Sequence, residues 1–316
     1  TPSAPPSFAA CGVSDLALLS NLEGTGRPFP LPAQEGAIPP ILEGRDCLIA
    51  THTGSGKTLA FLVPLLQRIL EQEGGGDGVK AIIVAPGREL ASQIVQEARD
   101  LLEGTGKNVV LTIGGTSFAR NVEKIRKVKP IIVVGTPGRI AELVVGGDGE
   151  KNARLKVTSV NFVVLDEADH LLLEDPHREP TLAVMDALRT RRRASLQTIL
   201  CSATASNLGE GPRSAFLRPD HAVAETDYDD ELVSRGTPAS LSAVHGVLRL
   251  SHRRFQLDAL RRLLHTRPIP TQVLVFVNSA RRVDIVVDKL DEAGVVAAPL
   301  HGGAGSEKQD RADVAR

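Results

Sequence analysis

A glycine-rich turn between an apolar strand and an apolar helix is the part of this sequence best suited to chemistry. It lies within residues 49–58, which read IATHTGSGKT. Glycines let the backbone turn tightly around a phosphate chain, and the N-terminal end of the following helix favours negative charge. The residues expected to contact a nucleotide here are Thr51, His52, Thr53, Gly54, Ser55, Gly56, Lys57 and Thr58. Lys57 is suited to the β and γ phosphates, and the Thr58 hydroxyl to Mg²⁺.

A pair of carboxylates follows a second apolar run. Asp166 and Glu167 come directly after residues 162–165, FVVL. Such a pair places one carboxylate to coordinate Mg²⁺ and the next to orient a water for in-line attack on a γ-phosphate. The alternative is an acidic strand end that caps the next helix. The order and spacing of this pair relative to the glycine-rich turn favour phosphoryl transfer.

Short apolar runs recur along the first two thirds of the chain, as strands buried on both faces do. We expect strands at Asp46–Ala50, Lys80–Ala85, Asn108–Ile113, Pro130–Gly135, Asn161–Leu165 and Gln197–Cys201. Segments with helical spacing lie between them, including one face made by Leu59, Leu62, Leu66 and Ile69. This alternation predicts an α/β fold with a parallel sheet covered by helices on both faces. Ligands of such sheets bind at the carboxyl ends of the strands, where the glycine-rich turn lies.

The domain organisation follows from where this alternation stops and restarts. Residues 1–45 form a lead-in, in which the proline-dense residues 26–34 are expected to be an ordered loop. Residues 46–222 form the nucleotide-binding domain, and residues 223–243 lose periodicity and are assigned as a linker. The alternation of strands and helices restarts in residues 244–316, where we expect strands at 245–250, 272–277 and 295–300 and a helix at 280–293. Three strands are too few for a whole domain of this kind.

Composition sets broad limits on the function. The chain has 316 residues, of which 42% are hydrophobic and 24% charged, with a net charge of −1. These values fit a soluble protein and exclude one that binds nucleic acid over a uniformly basic surface. Local backbone amides and a few arginines could still bind phosphates. No apolar run approaches the roughly 18 residues of a membrane helix. Cys11, Cys47 and Cys201 indicate reduced core residues of an intracellular protein, with no zinc spacing.

Taken together, these motifs resemble the DEAD-box ATP-dependent RNA helicases of superfamily 2. Residues 166–169, Asp-Glu-Ala-Asp, match motif II, and the glycine-rich turn matches motif I. Residues 26–34 resemble the Q motif, whose glutamine reads adenine in the family; here it is Gln34, with Phe8 as the isolated upstream aromatic. The residues resembling motif III, which couples hydrolysis to domain closure, are Ser202, Ala203 and Thr204, and Asp169 joins this coupling set.

The resemblance also implies an RNA-facing set. Residues 86–91 resemble motif Ia, residues 114–115 the family's double glycine, and residues 136–139 motif Ib. The residues expected to contact RNA are Pro86, Arg88, Gly115, Thr136, Pro137, Gly138 and Arg139. Helix N-termini and exposed amides after strands grip phosphates without reading sequence. The plainer alternative, strand-to-helix turns that are rich in proline and glycine in any case, is weaker within this ordered set.

The triple arginine at 191–193 is better read as a solvated helix end than as an RNA patch.

The resemblance implies a RecA-like domain followed by part of a second RecA-like domain. It also implies an RNA-dependent ATPase that uses ATP and Mg²⁺, acts as a monomer, and unwinds short RNA duplexes or remodels RNA–protein complexes. Lys57, Asp166 and Glu167 would be its catalytic residues, and Thr58 and Asp166 its metal ligands. Gln34 would read adenine, and Ser202 with Thr204 would transmit closure.

Some positions depart from the family's pattern. Gly87 stands where threonine is usual, Thr51 replaces alanine, and His52 occupies a glutamine or variable position. Arg27 stands where an aromatic residue is usual and Ala33 where isoleucine is usual, so the Q motif is the loosest match. After His301, the family's glutamine and arginine positions fall on Ser306 and Gln309, which weakens the expected RNA contact of the second domain.

Motifs V and VI, with their arginines, would follow Arg316, so we expect this chain to bind ATP and to hydrolyse it poorly by itself. Two alternatives stay open at this point. One is a module that binds ATP and RNA without turnover; the other is a DNA helicase of the same superfamily.

Overall fold

The fold was analysed in a computed structural model, which describes residues 6–52, 54–72, 78–115, 117–146, 155–192, 195–203, 208–225, 246–266 and 270–300. The chain divides into two compact units, Thr1–Leu241 and Ser242–Arg316. In the described ranges, no helix is both long and apolar enough to cross a membrane.

The first unit is built on one parallel sheet of seven strands. The strands are β1 (Cys47–Ala50), β2 (Ala81–Val84), β3 (Val109–Thr112), β4 (Ile132–Gly135), β5 (Phe162–Leu165), β6 (Gln197–Ser202) and β7 (Ala222–Glu225). Their order is β3-β4-β2-β5-β6-β1-β7, with every pairing parallel. The first six strands confirm the α/β prediction to within one or two residues at each end.

Helices connect the strands and cover both faces of the sheet. They are α1 (Leu16–Gly24), α2 (Pro32–Leu42), α3 (Lys57–Glu71), α4 (Arg88–Leu101), α5 (Phe118–Val128), α6 (Pro137–Val144), α7 (Ala168–Leu173), α8 (Arg178–Arg192) and α9 (Glu210–Phe216). Helix α2 starts at Pro32, inside the segment predicted as a loop. Proline is tolerated there because the first turn of a helix leaves its N–H groups without intrahelical partners.

The strands alternate between two hydrophobic clusters. Ile49 and Ile83 point into a cluster with helices α1 to α4, whereas Leu48 and Ile82 point into a cluster with α6 to α8. Successive side chains of a strand point to opposite faces, so each strand contributes to both clusters. Each fully buried aliphatic side chain contributes about 1.5–3 kcal/mol to stability. This packing fixes the strand ends that carry the functional motifs.

Strand β7 was not predicted, since Ala222–Glu225 falls where the sequence loses its periodicity. Among the described residues it pairs with β1 alone and forms one edge of the sheet. The Ala222 N–H donates to the Asp46 carbonyl oxygen at 2.8 Å, and Ala224 is buried beside Gly36 of α2. A short edge strand with one neighbour needs little apolar periodicity, which explains why the pattern did not reveal it.

The second unit contains helices and, in its described residues, no strand. A 3₁₀ turn at Arg253–Phe255 leads into α10 (Gln256–Leu264), and α11 spans Ala280–Asp291. The strands expected at 272–277 and 295–300 are therefore wrong, as is the described part of the strand expected at 245–250. Phe276 is 87% exposed and Val296 94% exposed. An apolar segment becomes a strand only when a neighbouring strand pairs with it, and these described segments have none.

Candidate nucleotide and nucleic-acid site

The glycine-rich turn joins β1 to α3 and owes its shape to two glycines. Gly54 and Gly56 have φ of 86° and 82°, in the left-handed region that residues with a Cβ rarely adopt. A Cβ at Gly56 would lie 2.3 Å from Gln34 Nε2 and 2.9 Å from Leu31 Cδ1. Gly56 is therefore required both by its conformation and by the close approach of α2.

Inside the turn, polar groups satisfy one another. The Lys57 ammonium donates to the Thr51 carbonyl oxygen at 2.8 Å, and the hydroxyls of Thr51 and Ser55 lie 2.6 Å apart. The Ser55 N–H donates to the carbonyl oxygen of His52 at 3.3 Å. Thr58 lies half-buried in the first turn of α3, whereas Thr53 is outside the described residues.

The Q-like glutamine contacts this turn directly. Gln34 is buried, and its Nε2 donates to the Gly56 carbonyl oxygen at 3.1 Å. Its Oε1 accepts from the Leu31 N–H at 2.9 Å, which caps the start of α2. No local pattern in the sequence predicts this contact. By contrast, Phe8 is 2% exposed within the hydrophobic core, a position that does not support its expected contact with nucleotide.

The carboxylates follow β5 at the same edge of the sheet. Asp166 is buried, and one of its carboxylate oxygens accepts from the Glu167 N–H at 3.1 Å. Glu167 has φ of 53°, an uncommon value for a residue other than glycine, and it is the N-cap residue immediately before helix α7. Asp169 lies half-buried in the first turn of that helix.

Electrostatics tie Asp166 to the glycine-rich turn. Burial raises the pKa of Asp166 to about 6, the positive charge of Lys57 lowers it, and the charges of Glu167 and Asp169 raise it. Lys57 is thus near enough to Asp166 to act on its pKa. The turn and the carboxylate pair, more than a hundred residues apart in the sequence, form one site.

Strand β6 brings the third motif beside the first. Ala50 of β1 is in register with Ser202 of β6, and the Thr51 N–H donates to the Ser202 carbonyl oxygen at 3.2 Å. Ser202 is fully buried and Ala203 half-buried, while Thr204 lies outside the described residues. The end of β6 is thus hydrogen-bonded to the first residue of the turn.

The residues expected to face RNA follow three neighbouring strands. Pro86 follows β2, Gly115 follows β3 and Thr136 follows β4, at the same carboxyl edge of the sheet. A Cβ at Gly115 would lie 3.1 Å from Arg88 Nη1, so the arginine and the double glycine are adjacent. The strand order places this set on the β3-β4-β2 half and the nucleotide motifs on the β5-β6-β1 half.

Helix α6 carries the last part of this set. Pro137 is buried as its first residue, and Gly138 is exposed. Arg139 donates through Nη1 to Glu142 at 2.7 Å and lies over the Phe118 ring at 5.9 Å. These contacts hold the arginine half-buried, so it presents a fixed and partly covered charge.

Comparison with known proteins places this geometry in context. The family model for DEAD/DEAH box helicases matches residues 31–210. DEAD-box ATP-dependent RNA helicase 47B of Oryza sativa subsp. japonica is 35% identical over 95% of this chain and 58% of its own length. DEAD-box ATP-dependent RNA helicase 47, mitochondrial, of Arabidopsis thaliana is 32% identical over 95% of this chain and 60% of its own length. The chain thus spans less than two thirds of each of these relatives.

Among solved structures, a similar one is Mss116p with its NTE and C-tail deleted, bound to ssRNA and AMP-PNP. It superposes with a TM-score of 0.63 at 28% identity, covering 72% of this chain and 46% of that one.

Proposed function

Because the chain belongs to the DEAD-box helicases of the DEAD/DEAH box family, we propose that it is the ATP- and RNA-binding part of an RNA-dependent ATPase. This enzyme unwinds short RNA duplexes or remodels RNA–protein complexes. The observation that most supports the proposal is that the glycine-rich turn and the carboxylate pair follow the carboxyl ends of β1 and β5, the two strands that flank β6 in one parallel sheet. In this proposal, residues 46–222 are the first RecA-like domain and residues 244–316 part of a second.

ATP is assigned to the glycine-rich turn. Its phosphates lie against the amides of residues 51–58 and the start of α3, and Lys57 exchanges the Thr51 carbonyl for the β and γ phosphates. Gln34 reads adenine, and its bond to the Gly56 carbonyl then links base recognition to the turn. The similar Mss116p structure has AMP-PNP bound, which supports nucleotide binding by this chain.

Mg²⁺ fits the donors that these residues offer. The Thr58 hydroxyl and the Asp166 carboxylate are hard oxygen ligands, and a buried carboxylate with negative neighbours gains from a cation. When bound, the ion neutralises charge on the phosphates during transfer. Asp166 must be ionised to serve as a ligand, and the charge of Lys57 assists that ionisation.

The remaining roles belong to groups beside the phosphates. Glu167 orients the attacking water, and the hydrogen bond of its N–H to Asp166 fixes its place at the strand end. Ser202, Ala203 and Thr204, with Asp169, transmit the state of the nucleotide. The bond between Thr51 and Ser202 supports this role, because it joins the end of β6 to the nucleotide turn.

RNA is assigned to the β3-β4-β2 half of the same edge. Arg88 and the exposed amides after β3 and β4 bind the phosphate backbone without reading bases. The net charge of −1 agrees with a local contact of this kind. The free, buried state of the three cysteines supports a reducing, intracellular location.

The test is ATP hydrolysis by the full-length protein that carries this chain, with single-stranded RNA, with DNA and without nucleic acid. RNA is expected to raise the rate, and Glu167→Gln to lower it by about 10²-fold or more while ATP still binds. Equal stimulation by DNA would favour a DNA helicase. ATP binding without turnover in the presence of RNA would favour a binding module.

A further inference from the structure

A cavity of about 340 Å³ opens at the amino ends of β5 and β6. Its walls include Phe162 and Gln197, the first residues of these strands, together with Arg68, Gln72, Asn161 and Arg218. The nucleotide motifs follow the carboxyl ends of the same strands, which are roughly 13 Å away at about 3.3 Å per residue. The cavity is therefore separate from the proposed ATP and RNA sites.

Arg68 of α3 is fixed in the wall of this cavity. Its guanidinium lies 5.2 Å from the centre of the Phe162 ring and donates through Nη1 to Gln197 Oε1 and, at 3.4 Å, to the Ile41 carbonyl oxygen. Gln197 is buried and also donates to the Ile41 carbonyl oxygen at 3.0 Å. Within the described part of the chain, the N–H groups on Nε and Nη2 of Arg68 remain available to a ligand.

Arg218 contributes a second guanidinium, held from the other side. Its Nη2 donates to Asp46 Oδ1 at 2.8 Å and to the Gly44 carbonyl oxygen at 2.7 Å, and its N–H donates to Asp46 Oδ2 at 2.9 Å. The Asp46 carboxylate thus neutralises the charge of Arg218. The charge of Arg68 has no such carboxylate partner among its described hydrogen bonds and is less compensated. Both side chains are held in place before any ligand arrives, which reduces the entropy lost on binding.

The electrostatics of the pair favour an anion. Burial lowers the pKa of Arg68, Glu71 opposes that shift, and the like charge of Arg218 adds to it. Two guanidiniums that repel one another are stabilised by an anion that both can contact.

An amide completes the set of donors. Asn161 Nδ2 donates to Gln72 Oε1 at 3.1 Å, so the Gln72 amide nitrogen is left, among the described residues, as a donor at the rim.

We propose that this cavity binds a small phosphate-bearing anion, held by Arg68 and Arg218 and capped by the Gln72 amide. Planar guanidiniums match phosphate oxygens in geometry as well as in charge. The volume lies at the lower end of the range for small-molecule pockets and suits inorganic phosphate, pyrophosphate or a small phosphorylated compound.

The experiment is isothermal titration of the chain with inorganic phosphate and with pyrophosphate at constant ionic strength. All proteins carry Lys57→Ala, so that binding at the glycine-rich turn is weakened and the cavity is measured by itself. Arg68→Lys keeps the positive charge but loses the planar guanidinium, which can donate two parallel hydrogen bonds to a phosphate. This variant should weaken phosphate binding about tenfold or more. Gln72→Glu brings a carboxylate to the rim without removing Arg68 from the fold, and should abolish binding.

Arg45→Gln is the matched control. Arg45 is exposed at the same end of the sheet and donates to the Asp220 carbonyl oxygen, but it does not line the cavity. This variant should bind phosphate within about twofold of its parent, because the charge it removes is screened by solvent. Absence of phosphate binding in the Lys57→Ala parent, or an equal loss in Arg45→Gln and Gln72→Glu, would overturn the proposal. Either result leaves the assignment of ATP to the glycine-rich turn unaffected.

Discussion

The hydroxyl of Thr51 lies 2.6 Å from the hydroxyl of Ser55, and both residues are buried. This hydrogen bond closes the glycine-rich turn from within, because it joins the residue after β1 to the residue before Gly56. The Thr51 main chain meanwhile binds Lys57 on one side and Ser202 on the other. Thr51 thus connects the glycine-rich turn to the end of β6, which are two of the motifs proposed to handle ATP.

Thr51→Val should lower the free energy of unfolding by about 1 kcal/mol or somewhat more, because it leaves the Ser55 hydroxyl without its buried partner. Ser55→Ala should have a similar effect. The double variant should cost clearly less than the sum of the two, since both ends of the bond are then gone. Urea unfolding of the four proteins measures the coupling, and strict additivity would show that the bond does not stabilise the turn.

Gly56→Ala should be much more harmful than Gly54→Ala. Both glycines have positive φ, which costs an L-residue about 1–2 kcal/mol. At Gly56, however, the new Cβ also meets Gln34 Nε2 at 2.3 Å, whereas at Gly54 it meets nothing within 4 Å. Nucleotide affinity and unfolding free energy should both fall further for Gly56→Ala, and adding Gln34→Ala should recover part of the lost unfolding free energy by removing the clash. Equal effects of the two glycine variants would contradict this packing.

Asp166 should make stability depend on pH. Its pKa is raised to about 6 from an ordinary 3.8, so between these pH values the folded chain keeps a proton that the unfolded chain has lost. The contribution of this group to the free energy of unfolding therefore falls as pH rises from about 4 to 6, and stays low above that. The loss is on the order of 3 kcal/mol, at about 1.4 kcal/mol per pKa unit.

Asp166→Asn removes that titration. In the absence of nucleotide and Mg²⁺, the variant should gain stability relative to the natural chain at pH 7.5, and this gain should shrink towards pH 4.5. Urea unfolding at the two pH values measures it. The same difference between the proteins at both pH values would show that the carboxyl does not titrate in this range.

Local patterns account for most of what could be predicted from the sequence. The first six strands are buried on both faces, so their apolar runs stand out, and the glycine-rich turn and the carboxylates are contiguous motifs. Strand β7 was missed because an edge strand such as Ala222–Glu225 depends on its neighbour β1 and on Asp46. The strands expected in the second unit failed for the converse reason, since apolar residues such as Phe276 have no pairing strand among the described residues.

Contacts between distant motifs could not be predicted. The bonds from Gln34 to Gly56 and from Thr51 to Ser202 depend on how α2 packs and on the register of β1 with β6. Neither is encoded in a local pattern. Phe8 shows a similar limit, because an isolated aromatic residue looks the same in a sequence whether it binds a ligand or fills the core, where this one is buried.

Equilibrium binding of a fluorescent ATP analogue to this chain, with Mg²⁺, tests the central claim most directly. Lys57→Ala should weaken binding by about 10-fold or more, because charge-assisted hydrogen bonds to the phosphates are lost. Lys107→Ala, a change of the same kind at an exposed position near the amino end of β3, should leave affinity unchanged. Saturable binding that requires Lys57 and not Lys107 is the predicted result. Absence of binding, or equal affinity in all three proteins, would contradict the assignment of ATP to this site.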